Sequence, residues 1–350
     1  MKKLGIALGG VVVLIVAGIG LGWWWMGTPL YEPGSLADRT DLEPHGQREG
    51  RWQVTPDIEL ATFARGTGRN VLFVHGGPGA PPTGPIAAFE RLSDDYRVHY
   101  YAQRGCGDST RPIRRFESRN TWDNMQQLDQ ALGLGEQLAD IERIRRLLGD
   151  ERLIVIGHSY GALLAALYAA ELPQRVEALV LISPADLLQL PPAHGGLFEA
   201  IRAQLEPSRH AAYDAWQERY LDFDTLFERT EDELAALDEE LVAFWLEATG
   251  GDAPGGDGDR PHSGAWMARA QYISMGMRHD YRSALAAVTA PTLIIHGEKD
   301  LQPVAVSKDY QVALANASLV TVAQAGHFPH FSHPDEVAAA IRALFPGEGR

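Results

Sequence analysis

Residues 152–170 read RLIVIGHSYGALLAALYAA, an apolar run that stops at Gly157-His158-Ser159-Tyr160-Gly161 and passes without a spacer into a small, apolar segment. The first part has the length and branched side chains of a buried strand. The second has the composition of a buried helix. A strand that becomes a helix within five residues must turn so sharply that the flanking positions cannot carry bulk, and glycine stands at both. The apex residue is pushed out above the sheet, with the partial positive charge of the helix N-terminus behind it. Ser159 occupies that apex and is the candidate nucleophile.

From Trp52 onward, short apolar runs alternate with helical patterns. The strands are expected at 58–64, 70–76, 97–103, 152–158, 178–183, 292–297 and 318–323. Residues 137–148 place Leu138, Ile141, Ile144, Leu147 and Leu148 on one helix face. Further helices are expected over 160–172 and 334–345. This alternation predicts an α/β class with a mostly parallel sheet covered on both faces. It breaks between about 186 and 290, where the chain reads as helices and contains GGDAPGGDGD (250–259), a stretch expected to be flexible. The expected organisation is a core of 51–185 and 286–350, with a helical cap of 186–285 inserted over a ligand site.

A serine hydroxyl needs a base beside it. When the nucleophile sits on a strand-to-helix elbow, its partners follow in the order acid, then histidine. Asp300 lies just after an apolar run, in IIHGEKD, and His327 just after the next, in VAQAGHFPHF. Both loops are expected at the same sheet edge as Ser159. Asp300 would fix the imidazole tautomer and His327 would take and return the serine proton. Asp186 is the rival acid, and His330 and His333 are the rival bases. His99 and His296 fall within strands and read as core histidines.

The stretch VLFVHGGPGA (71–80) is a strand that ends in backbone nearly bare of side chains. Acyl transfer builds negative charge on a carbonyl oxygen, and preorganised backbone N–H donors stabilise it. The N–H groups of Tyr160 and Gly77 are the expected oxyanion donors, with Gly76 as the alternative to Gly77. Gly76 permits close approach to substrate, and His75 braces the loop. No metal cluster or nucleotide-binding loop is visible, so no metal or other cofactor is expected.

Lys2 and Lys3 precede an uncharged stretch from Leu4 to Tyr31 that includes Trp23, Trp24 and Trp25. Roughly 20 apolar residues cross a bilayer, and tryptophans favour its interface. Residues 1–26 are therefore expected to form a single transmembrane anchor with a cytoplasmic N-terminus and the bulk of the chain on the outer side. The competing expectation is a cleaved signal peptide. Residues 27–50 read as a linker. The net charge of −15 argues against nucleic-acid partners and against docking on anionic lipid through a basic patch. Oligomeric state is left open.

The motifs HGGPG, YYAQRGCGDST, NTWDN, DIERIRRLLG, GHSYGALLAALYA, HGEKD and AGHFPHF occur in this order. Together they resemble the α/β-hydrolases of the prolyl aminopeptidase (proline iminopeptidase) type, over about residues 52–185 and 285–346. The resemblance implies the α/β-hydrolase fold, hydrolysis of a small amide or ester, and cap carboxylates that hold a substrate amine. Three positions depart from the pattern. Ala102 precedes QRG where an aspartate is usual, Ala162 follows the elbow where a second glycine is common, and Arg269 and Ala270 stand near the place of a cap glutamate. Glu218 remains the candidate for holding an amine. The expected function is a membrane-anchored serine hydrolase that cleaves N-terminal residues from short peptides or amino-acid amides through an acyl-enzyme. The alternatives are an esterase or lipase-like enzyme on the same scaffold, or a binding protein on a degenerate one.

Overall fold

The computed structural model describes residues 27–252 and 264–344. The transmembrane helix expected over 1–26 lies outside the described residues. Among those described, no helix is long and apolar enough to cross a membrane.

Nine strands form one sheet: β1 (Gly46–Arg48), β2 (Arg51–Thr55), β3 (Ile58–Arg65), β4 (Arg69–Val74), β5 (Tyr96–Tyr101), β6 (Leu153–His158), β7 (Val176–Ile182), β10 (Thr292–Gly297) and β11 (Ala317–Val322). Their order is β1-β2-β3-β5-β4-β6-β7-β10-β11. β1 to β3 are antiparallel and β3 joins β5 antiparallel. From β5 to β11 every neighbour is parallel. All seven strands read from the sequence are present. A parallel sheet sends the loops after its strands to one edge, where ligands of such sheets bind. His75, Ser159, Asp300 and His327 all follow strands at that edge.

Strand periodicity divides the core. Leu72, Val74, Val155, Leu179 and Leu181 pack on one face with the helix Tyr160–Glu171 and the helix Leu134–Leu148. Val71, Phe73, Ile154, Ile156, Val180 and Ile182 pack on the other, against the helix Pro334–Leu344. Residues 189–280 contain the cap helices Gly196–Gln204, His210–Tyr220, Glu231–Thr249 and Trp266–Met275. The strands β8 (Gln189–Leu190) and β9 (His279–Asp280) pair antiparallel, so the insertion leaves and re-enters the core side by side. The cap has its own small core, with Ile201, Tyr213, Trp216 and Phe244 in contact.

The stretch 27–50 is not a free linker. Tyr31 Oη donates to Glu171 Oε1 at 2.6 Å, and the N–H groups of Gly34 and Leu36 donate to the same carboxylate at 2.9 and 3.0 Å. The N–H groups of Leu30 and Tyr31 both donate to the Ser274 carbonyl. Tyr31, Leu36 and Leu42 are buried in the core, and β1 opens the sheet inside this stretch. These apolar residues are single and irregularly spaced, so they leave no periodicity, yet each fills a gap in a core built elsewhere.

Candidate active site

The turn after β6 is as tight as its sequence requires. Ser159 sits at φ 55°, ψ −121° between β6 and the helix Tyr160–Glu171, a conformation that is strained for a residue with a side chain. A Cβ at position 157 would lie 2.3 Å from the Gly161 carbonyl oxygen. One at position 161 would lie 2.1 Å from that of Val74. Both are shorter than any real contact, so only glycine fits on either side of the serine.

The loop after β4 explains its missing side chains in the same way. A Cβ on Gly76 would stand 2.9 Å from both the Ser159 Cβ and the His158 carbonyl oxygen. The bare backbone of HGGPG thus runs directly against the serine. Neither the Gly77 nor the Tyr160 N–H donates a backbone hydrogen bond among the described residues. His75 holds the loop from within: Nδ1–H donates to the Gly76 carbonyl at 2.8 Å, and Nε2 accepts from the Gln103 N–H at 3.1 Å. Burial, against the pull of the Gly76 bond, brings its pKa down to about 4, so it is neutral. In the QRG motif, Gln103 therefore braces HGGPG. Arg104 is bidentate to Asp140 at 2.6 Å for each bond, which makes it a structural residue.

His327 Nδ1 lies 2.8 Å from Asp300 Oδ2 and 3.0 Å from Oδ1. Asp300 is buried, which raises its pKa, but the charge and hydrogen bond of His327 outweigh burial and hold the carboxyl below its usual range. An ionised acid at Nδ1 keeps that nitrogen protonated and leaves Nε2 with the basic lone pair. The two loops are knitted together, since the Lys299 N–H donates to the Ala325 carbonyl and a Cβ on Gly297 would meet the Gly326 oxygen at 1.9 Å. The structure brings Asp300 and His327 into contact and makes no hydrogen bond between His327 and Ser159. Bonds from a nucleophile to its base are commonly long in unliganded sites and tighten with substrate.

The other candidates are engaged elsewhere. Asp186 accepts from the His194 N–H. His330 is buried and stacked on Phe89, and burial, with His327 adding to it, brings its pKa down to about 3. His333 bonds Ser332, His296 bonds Ser307 and His99 bonds Asn70. Glu218 does not join the site. It lies on the exposed face of the helix His210–Tyr220, whose Tyr213, Trp216 and Tyr220 point inward. The spacing of those three aromatic residues carried that signal. Arg269 is buried inside the cap, paired with Asp238 and stacked 4.1 Å over the Tyr220 ring.

Two residues at the site escaped the sequence reading. His158 Nε2 lies 3.0 Å from the His327 carbonyl oxygen. Burial, with His330 and His327 adding to it, pushes its pKa well below the ordinary value, so the neutral ring donates there. Asp252, within the glycine-rich stretch expected to be flexible, accepts the His327 N–H at 2.7 Å. Neither position had a spacing to mark it. A cavity of about 510 Å³ lies where Gln204, Thr249 and Asp252 of the cap meet Lys299, Asp300 and Gly326 of the core. It adjoins the acid and the histidine loop, and Ser159 is not part of its wall. Among the described residues no group of three or more metal-binding side chains converges.

The alpha/beta hydrolase fold family model matches residues 69–334. The proline iminopeptidase of Neisseria meningitidis serogroup A is 39% identical over 111 residues, 32% of this chain and 31% of that protein. That of Xylella fastidiosa strain 9a5c is 29% identical over 290 residues, 74% of this chain and 83% of that protein. The chain thus spans under a third of the Neisseria relative and most of the Xylella one. Among solved structures, a membrane phospholipase A described as a bacterial virulence factor superposes with a TM-score of 0.57 at 21% identity, covering 99% of both chains. An esterase from Thermogutta terrifontis gives 0.54 at 21% identity over 83% of this chain and 93% of that one. At such identities the likeness is one of fold.

Proposed function

Because this chain belongs to the α/β-hydrolase fold family, we propose that it is a serine hydrolase in which Ser159 attacks a carbonyl, His327 takes and returns the proton, and Asp300 orients the imidazole. Attack forms the Oγ–C bond while the serine proton passes to His327 Nε2. The tetrahedral oxyanion lies against the Gly77 and Tyr160 N–H groups. Collapse expels the leaving group, which carries away the proton from His327, and leaves an acyl-enzyme. Water then repeats the sequence to free the acid. The observation that carries this reading is the Asp300–His327 pair at the strand edge from which the strained Ser159 elbow also projects.

The similarity to proline iminopeptidases supports release of N-terminal residues from short peptides or amino-acid amides. One observation favours esters instead. Five cap carboxylates, Asp214, Asp222, Glu240, Glu247 and Asp238, are each paired with an arginine, which leaves these five poorly placed to hold an amine, although Asp252 in the cavity wall has no arginine partner among the described residues. A fluorophosphonate probe should label the purified protein and fail on Ser159→Ala; equal labelling of both overturns the serine assignment. Proline and alanine amides run beside short acyl esters then separate the two readings: turnover of esters alone removes the aminopeptidase.

The anchor over residues 1–26, with the catalytic region outside the cytoplasm, belongs to the same proposal. Its support is the uncharged stretch behind Lys2 and Lys3. Extraction of the full-length protein by carbonate without detergent would remove it.

A further inference from the structure

We propose that Asp252 is a positioning residue for His327, through which the cap fixes the main chain of the base and sets a second negative charge beside its imidazole. This rests on the serine-hydrolase reading.

The helix Glu231–Thr249 ends at Gly250, whose left-handed φ of 65° turns the chain back. That turn places Asp252 over the loop after β11. Its Oδ2 accepts the His327 N–H at 2.7 Å. It also lies where a Cβ on Gly326 would be, 2.1 Å from that position, so the loop admits this carboxylate only because residue 326 has no side chain. The acid is itself held. Its N–H donates to Thr249 Oγ1 at 3.1 Å, and its carbonyl accepts from Trp245 Nε1 at 2.8 Å. The Trp245 ring then stands edge-on to the His327 ring, with centroids 5.1 Å apart. The cap therefore grips His327 at its main chain and at its ring.

The other groups around the imidazole are Asp300 after β10, His158 at the end of β6, His296 within β10 and His330 in the helix Pro329–Ser332; Lys299 shares the cavity wall. His75, His158 and His330 are held neutral by burial, so Asp300 and Asp252 are the negative charges bonded to His327. Burial raises the pKa of Asp252 itself, which its bond to the His327 N–H opposes. With the N–H, the carbonyl and Nδ1 of His327 each engaged by a different element, only Nε2 is left for chemistry.

Geometry and charge are separable by substitution. Asparagine keeps an acceptor for the His327 N–H and loses the charge; alanine loses both. Fluorophosphonate labelling reads the state of the Ser159–His327 pair without knowledge of the substrate, and absence of labelling in the wild type would be a failure of the serine-hydrolase reading, not of this one. Asp252→Ala should slow labelling about tenfold to a hundredfold through misplacement of the base. Asp252→Asn should recover most of that rate at high pH. A carboxylate favours the imidazolium, which cannot accept the serine proton, so the half-maximal pH for labelling should move to lower pH in Asp252→Asn. Gly326→Ala, which displaces the carboxylate without removing it, should behave like Asp252→Ala. Wild-type rate and pH profile in Asp252→Ala would overturn the proposal. So would equal slowing of the alanine and asparagine variants with an unmoved profile. If the alanine variant does not fold, the pH profile of Asp252→Asn decides alone.

Discussion

Two carboxylates reach His327, and they come from parts of the molecule built in different ways. Asp300 belongs to the core. Its strand is flanked by β7 and β11, its loop is bonded to the histidine loop, and its carboxylate is enclosed. Asp252 belongs to the cap, whose interior is a small aromatic cluster and several of whose surface acids, Asp214, Glu240 and Glu247 among them, are paired with arginines. Surface pairs of this kind contribute little to stability. The core therefore holds its acid by several backbone approaches, whereas the cap holds its own through the turn at Gly250, the Thr249 hydroxyl and the Trp245 indole. A reaction centre needs the first kind of support. The cap can be rebuilt without disturbing the core, provided its contacts with His327, Asp252 at the main chain and Trp245 at the ring, are kept.

The comparison breaks most sharply at the core acid. Asp300→Asn should lower hydrolytic turnover about 10⁴-fold by favouring the wrong imidazole tautomer, with a circular dichroism spectrum like the wild type; retention of near-full turnover would mean that another group orients His327. Gly161→Ala comes next. Its Cβ would meet the Val74 carbonyl at 2.1 Å, and the forced shift of the elbow should cost about a hundredfold or more in labelling rate. In the cap, Trp216→Ala removes the fully buried centre of the aromatic cluster. It should lower the unfolding free energy of the cap by about 3–5 kcal/mol while labelling by a small probe stays within a few-fold. Urea denaturation followed by cap-specific hydrogen exchange would show which region yields first.

Smaller still, for any one residue, is the effect of acid. His75, His158 and His330 have folded pKa values depressed by burial, to about 4 for His75 and about 3 for His330. Unfolded histidine titrates near pH 6.5. Below that value the unfolded chain binds protons that the folded one refuses, so stability falls as pH falls, by up to about 1.4 kcal/mol per pH unit for each histidine. Denaturant midpoints between pH 6.5 and 5 read this effect, to which His99, His279 and His296, also depressed by burial, add, and His330→Phe should flatten the slope. The smallest expected change is Glu218→Gln. An exposed residue on the outer cap face should alter stability by less than about 0.5 kcal/mol and leave turnover untouched; a specific rise in KM for amine-bearing substrates would return it to the site.

How far the site could be read before folding varied with the kind of contact. The elbow was legible because its constraint is local: a strand, a helix and five residues between them admit few side chains. The alternation of strands was legible because a sheet buried on both faces writes continuous apolar runs. The packing of residues 27–50 was not, since Tyr31 and Leu36 are isolated apolar residues whose partner, Glu171, lies 140 and 135 positions away. Asp252 was hidden for a related reason. It sits in a glycine-rich stretch with the composition of a flexible loop, and what fixes it is the bare Cα of Gly326 and the indole of Trp245.

The sequence by itself determined the parallel sheet, the sharp turn that presents Ser159, and the order in which an acid and a histidine follow it, because periodicity and steric exclusion act over neighbouring residues. The tertiary structure alone decided that the cap reaches His327 through Asp252 and that the opening stretch of the domain is part of the core. Those outcomes depend on which surfaces meet across more than seventy residues of chain, and short-range physics carries no record of that.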